Sequence, residues 1–326
     1  MSRRAAEIAG EVNRQFERLM PAVAPVGVAL GFFLPGVFIR LRPFVPWLFG
    51  LMTLSGALKL TTGEFGRAMR SPAPIFAFFI SSHIVMPLCV MLAASRFFGN
   101  SPDTVAGYVL LFSGPAAVSS FIWVTVFGGD KALCLTLILL DTLLAPFVVP
   151  GTVSVLMGAK VAMDIRGIAV SLVLMVVVPT IAGVAANEAS RGGIPALVCP
   201  YLNPVSKICL TLVIAANASP VAGMIRFSDP VVIKVGALCV ALSAGGFALS
   251  KFAAVLAKCD RGKSVTLFFT GGLRNISAVT TIAVTFFPEA AALPALLGIV
   301  FQQALSAVMG KLMEAFSKLQ FLEKQL

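Results

Sequence analysis

The chain has 326 residues, of which 58% are hydrophobic and only 12% are charged, and its formal net charge is +11 at pH 7. The charged share is about half of that usual in a soluble domain, so the composition predicts an all-α integral membrane protein. Such a chain leaves no room for a soluble catalytic domain, which excludes most classes of enzyme.

The hydropathy pattern predicts ten membrane-spanning helices, because each crossing needs about 20 predominantly apolar residues. The predicted crossings are 21–38, 43–62, 73–97, 104–127, 131–157, 164–187, 200–224, 229–256, 263–287 and 289–314. Residues 1–20 carry apolar side chains at helical spacing, which is typical of an amphipathic helix at the membrane surface and equally of a solvated helix. Residues 317–326 are predicted to form a tail.

The basic residues are divided unequally between the two predicted sides of the membrane. Seventeen Lys and Arg residues fall on or near one side and seven on the other, and Arg274 lies within the ninth crossing. Cytoplasmic loops carry the excess of positive charge. The pattern therefore predicts an inner (plasma) membrane protein with both termini in the cytoplasm, and no nucleic-acid partner.

Two stretches of the sequence resemble each other, residues 111–115 in the fourth crossing and residues 268–272 in the ninth. The same offset also aligns Ser120 with Ser277. Transporters are commonly built from two inverted halves with the binding site between them. The match therefore predicts two five-helix repeats, over residues 21–160 and 161–316, with the second upside down relative to the first.

Each matched stretch also contains helix-breaking residues. Proline at 115 removes an amide donor, and each glycine of Gly271-Gly272 lowers helix stability by about 1 kcal/mol relative to alanine. A simple kink or a close-packing position is the alternative. A true break exposes amides that favour anions, and two breaks that cross would share one cavity.

The side chains and backbone groups near these breaks are the candidate substrate ligands. They are Ala116, Ala117, Ser119, Ser120, Arg274, Asn275 and Ser277, together with the intramembrane amides Gln302 and Gln303.

An arginine at mid-bilayer costs at least about 2.5–3.5 kcal/mol and persists only with a partner or a wet cavity. Two anionic partners are open for Arg274: a carboxylate on the substrate, or Asp141, an acidic residue well inside a crossing. A purely structural ion pair between Arg274 and Asp141 is also consistent with the sequence. His83 stands alone among apolar residues, and we interpret it as a satisfied packing residue.

The motifs Gly114–Ser120, 142–146, Gly272–Asn275 and Phe287–Ala291 resemble those of the bile acid:sodium symporter family. This resemblance implies transport of an organic anion by alternating access. It also implies a panel of helices 1, 2, 6 and 7 and a core of helices 3, 4, 5, 8, 9 and 10, with the broken fourth and ninth helices crossing in the core.

The sodium-coordinating positions of that family are mostly altered in this chain. Ser120 is kept, and the other positions hold Thr270, Arg274, Phe121, Cys134, Ile138 and Ser82. Sodium prefers oxygen ligands, which Phe and Ile do not supply. We therefore predict that Arg274 stands where a cation would otherwise bind, with Asp141, Thr270, Ser120 and Ser82 as the remaining ion-coupling or charge-compensating positions.

The prediction is thus a secondary transporter of a small organic anion, acting as a monomer and without a cofactor. Sodium or a proton is the candidate coupling ion. A conventional sodium symporter with altered ligands is one alternative, and an anion channel is another. An embedded hydrolase would need a base beside its nucleophile, and the single histidine is distant in sequence from Ser119 and Ser120.

Overall fold

The computed structural model describes residues 25–61, 63, 72–158, 164–222 and 229–323, so the predicted N-terminal helix 1–20 lies outside the described residues. Residues 25–33 are helical. The helices that follow, in chain order, are α1 (Pro35–Ala57), α2 (Pro72–Phe98), α3 (Pro102–Ser113), α4 (Ser120–Val126), α5 (Lys131–Met157), α6 (Ile165–Ala189), α7 (Gly193–Ala218), α8 (Pro230–Leu256), α9 (Arg261–Gly272), α10 (Ile276–Phe286) and α11 (Glu289–Glu323).

Six of these helices are long and apolar enough to cross a membrane: α1, α2, α5, α6, α7 and α8. Helix α11 makes a seventh if its two segments, which meet at an angle of 54°, are counted as one span. Large apolar side chains cover the outside of these helices, and on α5 Phe147 is 75% and Val155 83% exposed. Such surfaces suit lipid rather than water. The chain is a multi-pass membrane protein.

One predicted boundary is wrong. The loop expected at 39–42 lies in a 3₁₀ segment, Ile39–Phe44, within α1, and the interruption falls instead at Leu34, just before Pro35. Proline fits the first turn of a helix, where its missing amide is not needed. Helix α11 continues to Glu323, and the tail at 317–326 stays a prediction.

Acidic or amide side chains begin most of the later helices. Asp130, Asp164, Asp229 and Asp260 accept a backbone N–H in the first turns of α5, α6, α8 and α9. A carboxylate at this position bonds an otherwise unpaired amide and favours the positive end of the helix dipole. The amide of Lys263 accordingly lowers the pKa of the Asp260 carboxyl. These four acidic residues are therefore explained by helix initiation.

The predicted breaks in the fourth and ninth crossings are confirmed. Helix α3 ends at Ser113 and α4 begins at Ser120, whereas α9 ends at Gly272 and α10 begins at Ile276. The two gaps meet in an antiparallel bridge between Ala116 and Arg274. This bridge is the crossing to which the following subsections refer.

Two backbone hydrogen bonds hold the crossing together. The Ala117 amide donates to the Leu273 carbonyl at 3.0 Å, and the Asn275 amide donates to the Pro115 carbonyl at 2.7 Å. Unpaired backbone groups are costly in a membrane. Each interrupted helix thus satisfies part of the other.

The glycines of the ninth crossing serve close packing. Both are still helical, and an added Cβ would lie 2.2 Å from the Ser250 hydroxyl at Gly271 and 2.3 Å from the Phe247 ring at Gly272. The two glycines let α9 approach α8, and the break itself comes at residues 273–275.

Helix α1 packs against α6 and α7, whereas α8 packs against α9 and α11. The panel and core domains, the ten crossings and the inverted repeat stay predictions.

Candidate functional site

A cavity of about 380 Å³ lies beside the crossing. The candidate ligands that line it are Ala117, Ser119, Arg274, Asn275, Ser277 and Gln302. Ala116 and Ser120 are buried behind this wall, and the side chain of Gln303 lies outside the described residues. Much of the remaining wall is apolar and comes from α1, α6 and α7, with Phe49, Val176 and Ile214 among its residues.

The charged side chains among the described residues of this lining are Lys59 and Arg274, and both are basic. A second cavity of about 190 Å³ shares Met52, Gly56, Lys59 and Leu210 with the first, and Lys207 also lines it. A cleft lined by charge of one sign attracts ligands of the other sign. The two cavities therefore suit an anion.

Arg274 is held at the crossing by backbone carbonyls. Its side chain is 4% exposed, its Nη2 donates to the Ser82 carbonyl at 3.2 Å, and its Nη1 donates to the Gly114 carbonyl at 3.4 Å. The Gln302 side-chain amide donates in turn to the Arg274 carbonyl at 2.8 Å. The positive charge is fixed where the two broken helices meet.

The Ser82 carbonyl is available to Arg274 because α2 changes register there. Residues Ser81–Val85 form a π-helical turn in which the Met86 amide donates to the Ser81 carbonyl. In this π-helical register the amide of residue 87 would donate to the Ser82 carbonyl, but residue 87 is a proline and has no N–H. π-Bulges within α-helices are frequent at functional sites.

Asp141 is fully buried on α5 and faces the segment of the crossing that lies between α3 and α4. Its Oδ2 accepts the Ala116 amide at 2.7 Å, and its Oδ1 lies 2.8 Å from Nε2 of His83. The second contact is close but is not aligned as a hydrogen bond. Arg274 bonds carbonyls, so the predicted structural ion pair between Arg274 and Asp141 is not formed.

Comparison with known proteins decides the family. A sequence model described as the "Sodium Bile acid symporter family" matches residues 46–228. The chain belongs to this family. The family predicted from its motifs is therefore confirmed, and the protein is a transporter and not an enzyme.

The chain is 34% identical over 305 residues to "Uncharacterized protein YbaS" of Bacillus subtilis (strain 168), which covers 94% of this chain and 100% of that protein. It is 28% identical over 258 residues to "Probable sodium/metabolite cotransporter BASS2, chloroplastic" of Oryza sativa subsp. japonica, with 75% and 60% covered. It is 24% identical over 272 residues to "Uncharacterized sodium-dependent transporter YocS" of Bacillus subtilis (strain 168), with 82% of each chain covered.

Two of the three hydroxyl groups at the positions compared with the family's sodium ligands bond within the protein. The Ser120 hydroxyl lies 3.8 Å from the Cys134 sulfur, and the Thr270 hydroxyl donates to the Thr266 carbonyl. The third hydroxyl, on buried Ser82, has no hydrogen-bond partner among the described residues. Phe121 and Ile138 line the cavity with apolar surface, whereas sodium prefers several oxygen ligands around one point.

Most amides at the two breaks are also bonded within the chain, unlike the bare amides predicted from the sequence. The amides of Ser120, Phe121 and Ile122 donate to carbonyls three residues earlier, and the Asn275 side chain caps the Ala278 amide. The positive character of the site therefore comes chiefly from Arg274 and Lys59.

The interpretation of His83 as a satisfied packing residue holds for its packing but not for its hydrogen bonding. The side chain is 7% exposed, stacks on Phe79 with ring centroids 5.6 Å apart, and meets Phe78 edge-on. Its Nδ1 has no hydrogen-bond partner among the described residues. The available signal was that the chain's single histidine and Asp141 both lie deep in predicted crossings.

Proposed function

We propose that the protein carries a small organic anion across the membrane by alternating access, with Arg274 permanently supplying the positive charge that a bound cation would otherwise supply. The observation that carries the proposal is the guanidinium bonded to the Ser82 and Gly114 carbonyls. Carbonyl oxygens are the ligands that a hard cation prefers. Transport would then be independent of sodium.

The cavity supports a carboxylate with an apolar body. A guanidinium has five N–H donors, and two of its nitrogens are engaged at Gly114 and Ser82. The remaining donors can receive a carboxylate, for which arginine has suitable fork geometry. The apolar wall from α1, α6 and α7 would hold the rest of the molecule.

The proposed setting is the inner membrane, with both termini in the cytoplasm. In this orientation Lys59 and Lys207 belong to the cytoplasmic side, and the second cavity, which they line, would be the cytoplasmic entrance. A monomer would carry the whole site, because the crossing and both cavities are formed by one chain.

Sodium-coupled transport with altered ligands is the second candidate. It is favoured by the printed names of two relatives, a probable sodium/metabolite cotransporter and an uncharacterized sodium-dependent transporter. It requires oxygen ligands other than the side chains at the family's usual positions.

A thermal-shift screen of purified protein against carboxylates of increasing size, in sodium-free buffer, tests the proposal. We expect at least one monocarboxylate to stabilise the wild type, and its labelled form to enter proteoliposomes. Arg274→Ala should lose both effects, whereas Arg166→Ala, an exposed arginine in the first turn of α6, should keep them. Equal stabilisation of wild type and Arg274→Ala, or stabilisation that requires sodium, would contradict the proposal.

A further inference from the structure

The His83–Asp141 pair has no role in the function proposed above, yet it joins two ionisable side chains within the membrane. The two side chains are 7% and 0% exposed, and their facing atoms lie 2.8 Å apart. Ionisable residues at such depth are costly and usually mark ion or substrate pathways. The pair is also incompletely bonded, because Nδ1 of His83 has no partner among the described residues.

We propose that the His83–Asp141 pair binds the coupling proton, so that the protein is a proton-driven organic anion symporter. The inference rests on the proposed function, because it assumes that the crossing receives an anion. It adds the identity of the coupling ion and the residues that hold it.

The charges at the crossing give the expected stoichiometry. With a neutral imidazole, the buried charges of Arg274 and the Asp141 carboxylate balance each other, whereas Lys59 is exposed to solvent. A bound monoanion would then leave one net negative charge in a low-dielectric site, which is strongly unfavourable. One proton on the His83–Asp141 pair restores neutrality, so the geometry predicts one proton carried with each monoanion.

The pair is connected to both strands of the crossing. Asp141 accepts the amide of Ala116 in the first break, and His83 follows Ser82, whose carbonyl holds Arg274 of the second break. Gain or loss of a proton therefore changes the charge next to both groups that position the crossing. This contact gives the proton a direct physical effect on the candidate substrate site.

Other titratable side chains on the elements packed around the pair bond elsewhere or lie at helix ends. Tyr108 donates to the Val235 carbonyl, Lys251 donates to the Ser264 hydroxyl, and Cys134 and Cys239 contact Ser120 and the Pro294 carbonyl. Arg96 and Asp103 lie in end turns, Cys89 is exposed, and Lys234 is near the start of α8. Arg274 is the remaining charge that faces the pair.

The single histidine permits a direct test that needs no substrate. Protein with isotope-labelled histidine, purified on a tag without histidines and placed in nanodiscs, gives imidazole resonances from His83 alone. We expect these resonances to change with pH, and Asp141→Asn to alter their pH dependence. Resonances that ignore pH, or that behave identically in Asp141→Asn, would overturn the inference.

Transport gives the second readout. Labelled pantoate and cholate, a small and a bulky carboxylate, would be offered to sodium-free proteoliposomes with an alkaline interior. Each pH unit corresponds to about a tenfold change in equilibrium accumulation for one proton per anion. His83→Gln should abolish this stimulation, whereas Asp164→Asn, an exposed helix cap on α6, should retain it.

The outcomes separate the two proposals. Sodium-independent uptake that ignores the pH gradient would overturn the proton site and leave the proposed function intact. If neither pantoate nor cholate enters, the failure concerns the proposed substrate class, and the histidine resonances still decide whether the pair binds a proton as inferred.

Discussion

The break between α3 and α4 and the break between α9 and α10 contribute similar backbone to the crossing, but opposite charges hold them. In the break between α3 and α4, the Ala116 amide donates to the carboxylate of Asp141, which lies on α5. In the break between α9 and α10, the Arg274 guanidinium donates to the carbonyls of Ser82 and Gly114. The side chain of Asn275, in the same break, caps the first turn of α10. One break thus depends on a distant negative partner, and the other supplies its own positive charge and its own cap.

This difference shows how a broken span can be stabilised without a bound ion. A helix break exposes both amide donors and carbonyl acceptors. In this protein a carboxylate takes a donor and a guanidinium takes the acceptors, and both belong to the protein.

The largest expected effect comes from removing the positive charge of Arg274 in the break between α9 and α10. Arg274→Ala should reduce transport to background, because two buried carbonyls lose their donor and the cavity loses a positive charge. Arg274→Lys should keep part of the activity, since an ammonium can bind carbonyls but lacks the planar fork. Initial uptake rates of the anion found by thermal shift would measure both, and full activity in the alanine variant would contradict this role.

Removing the carboxylate of Asp141 should cost stability in addition to its effect on the proposed proton site. In Asp141→Ala the buried Ala116 amide loses its acceptor, which costs about 1–3 kcal/mol. Asp141→Asn keeps an acceptor oxygen and should unfold closer to the wild type. Unfolding of the two variants in detergent would be compared, and equal loss in both would show that the hydrogen bond to Ala116 is not the stabilising contact.

The Asn275 cap of α10 should contribute less to stability than Asp141, because it bonds a residue of its own chain segment. Asn275→Ala removes the acceptor of the Ala278 amide, a loss of about 1 kcal/mol for a helix cap. Asn275→Asp should retain the cap. A larger loss of stability in Asn275→Ala than in Asp141→Ala would reverse the comparison between a local and a distant partner.

The smallest expected effect is at the cavity entrance. Lys59 is exposed and lines both cavities, so Lys59→Ala should weaken apparent affinity for the anion by only about two- to fivefold and mostly at low salt. Uptake measured at two ionic strengths checks this. An effect that is unchanged at high salt would argue for direct contact with the substrate.

Part of this organisation is readable in the sequence. The Gly-Pro pair at 114, the likeness of residues 268–272 to it, and an arginine and asparagine directly afterwards were enough to predict two breaks that share a site. The structure brings Ala117, Ser119, Arg274, Asn275, Ser277 and Gln302 to one cavity, although their role in binding stays a prediction.

The partners of the two charges could not be read in this way. The Ser82 carbonyl is freed by a π-helical turn before Pro87, a change of register that hydropathy does not report. The contact between His83 and Asp141 joins α2 to α5; the sequence shows that both residues lie deep in apolar stretches but not that they meet. Backbone acceptors and contacts between distant helices appear only when the chain is packed.

Binding of radioactive sodium to the purified protein tests the central claim most directly. We predict no saturable sodium binding to the wild type, since the Arg274 guanidinium occupies the carbonyl oxygens at the crossing. Saturable binding to the wild type that persists in Arg274→Lys would show that sodium and the guanidinium do not share a site, and would contradict the account.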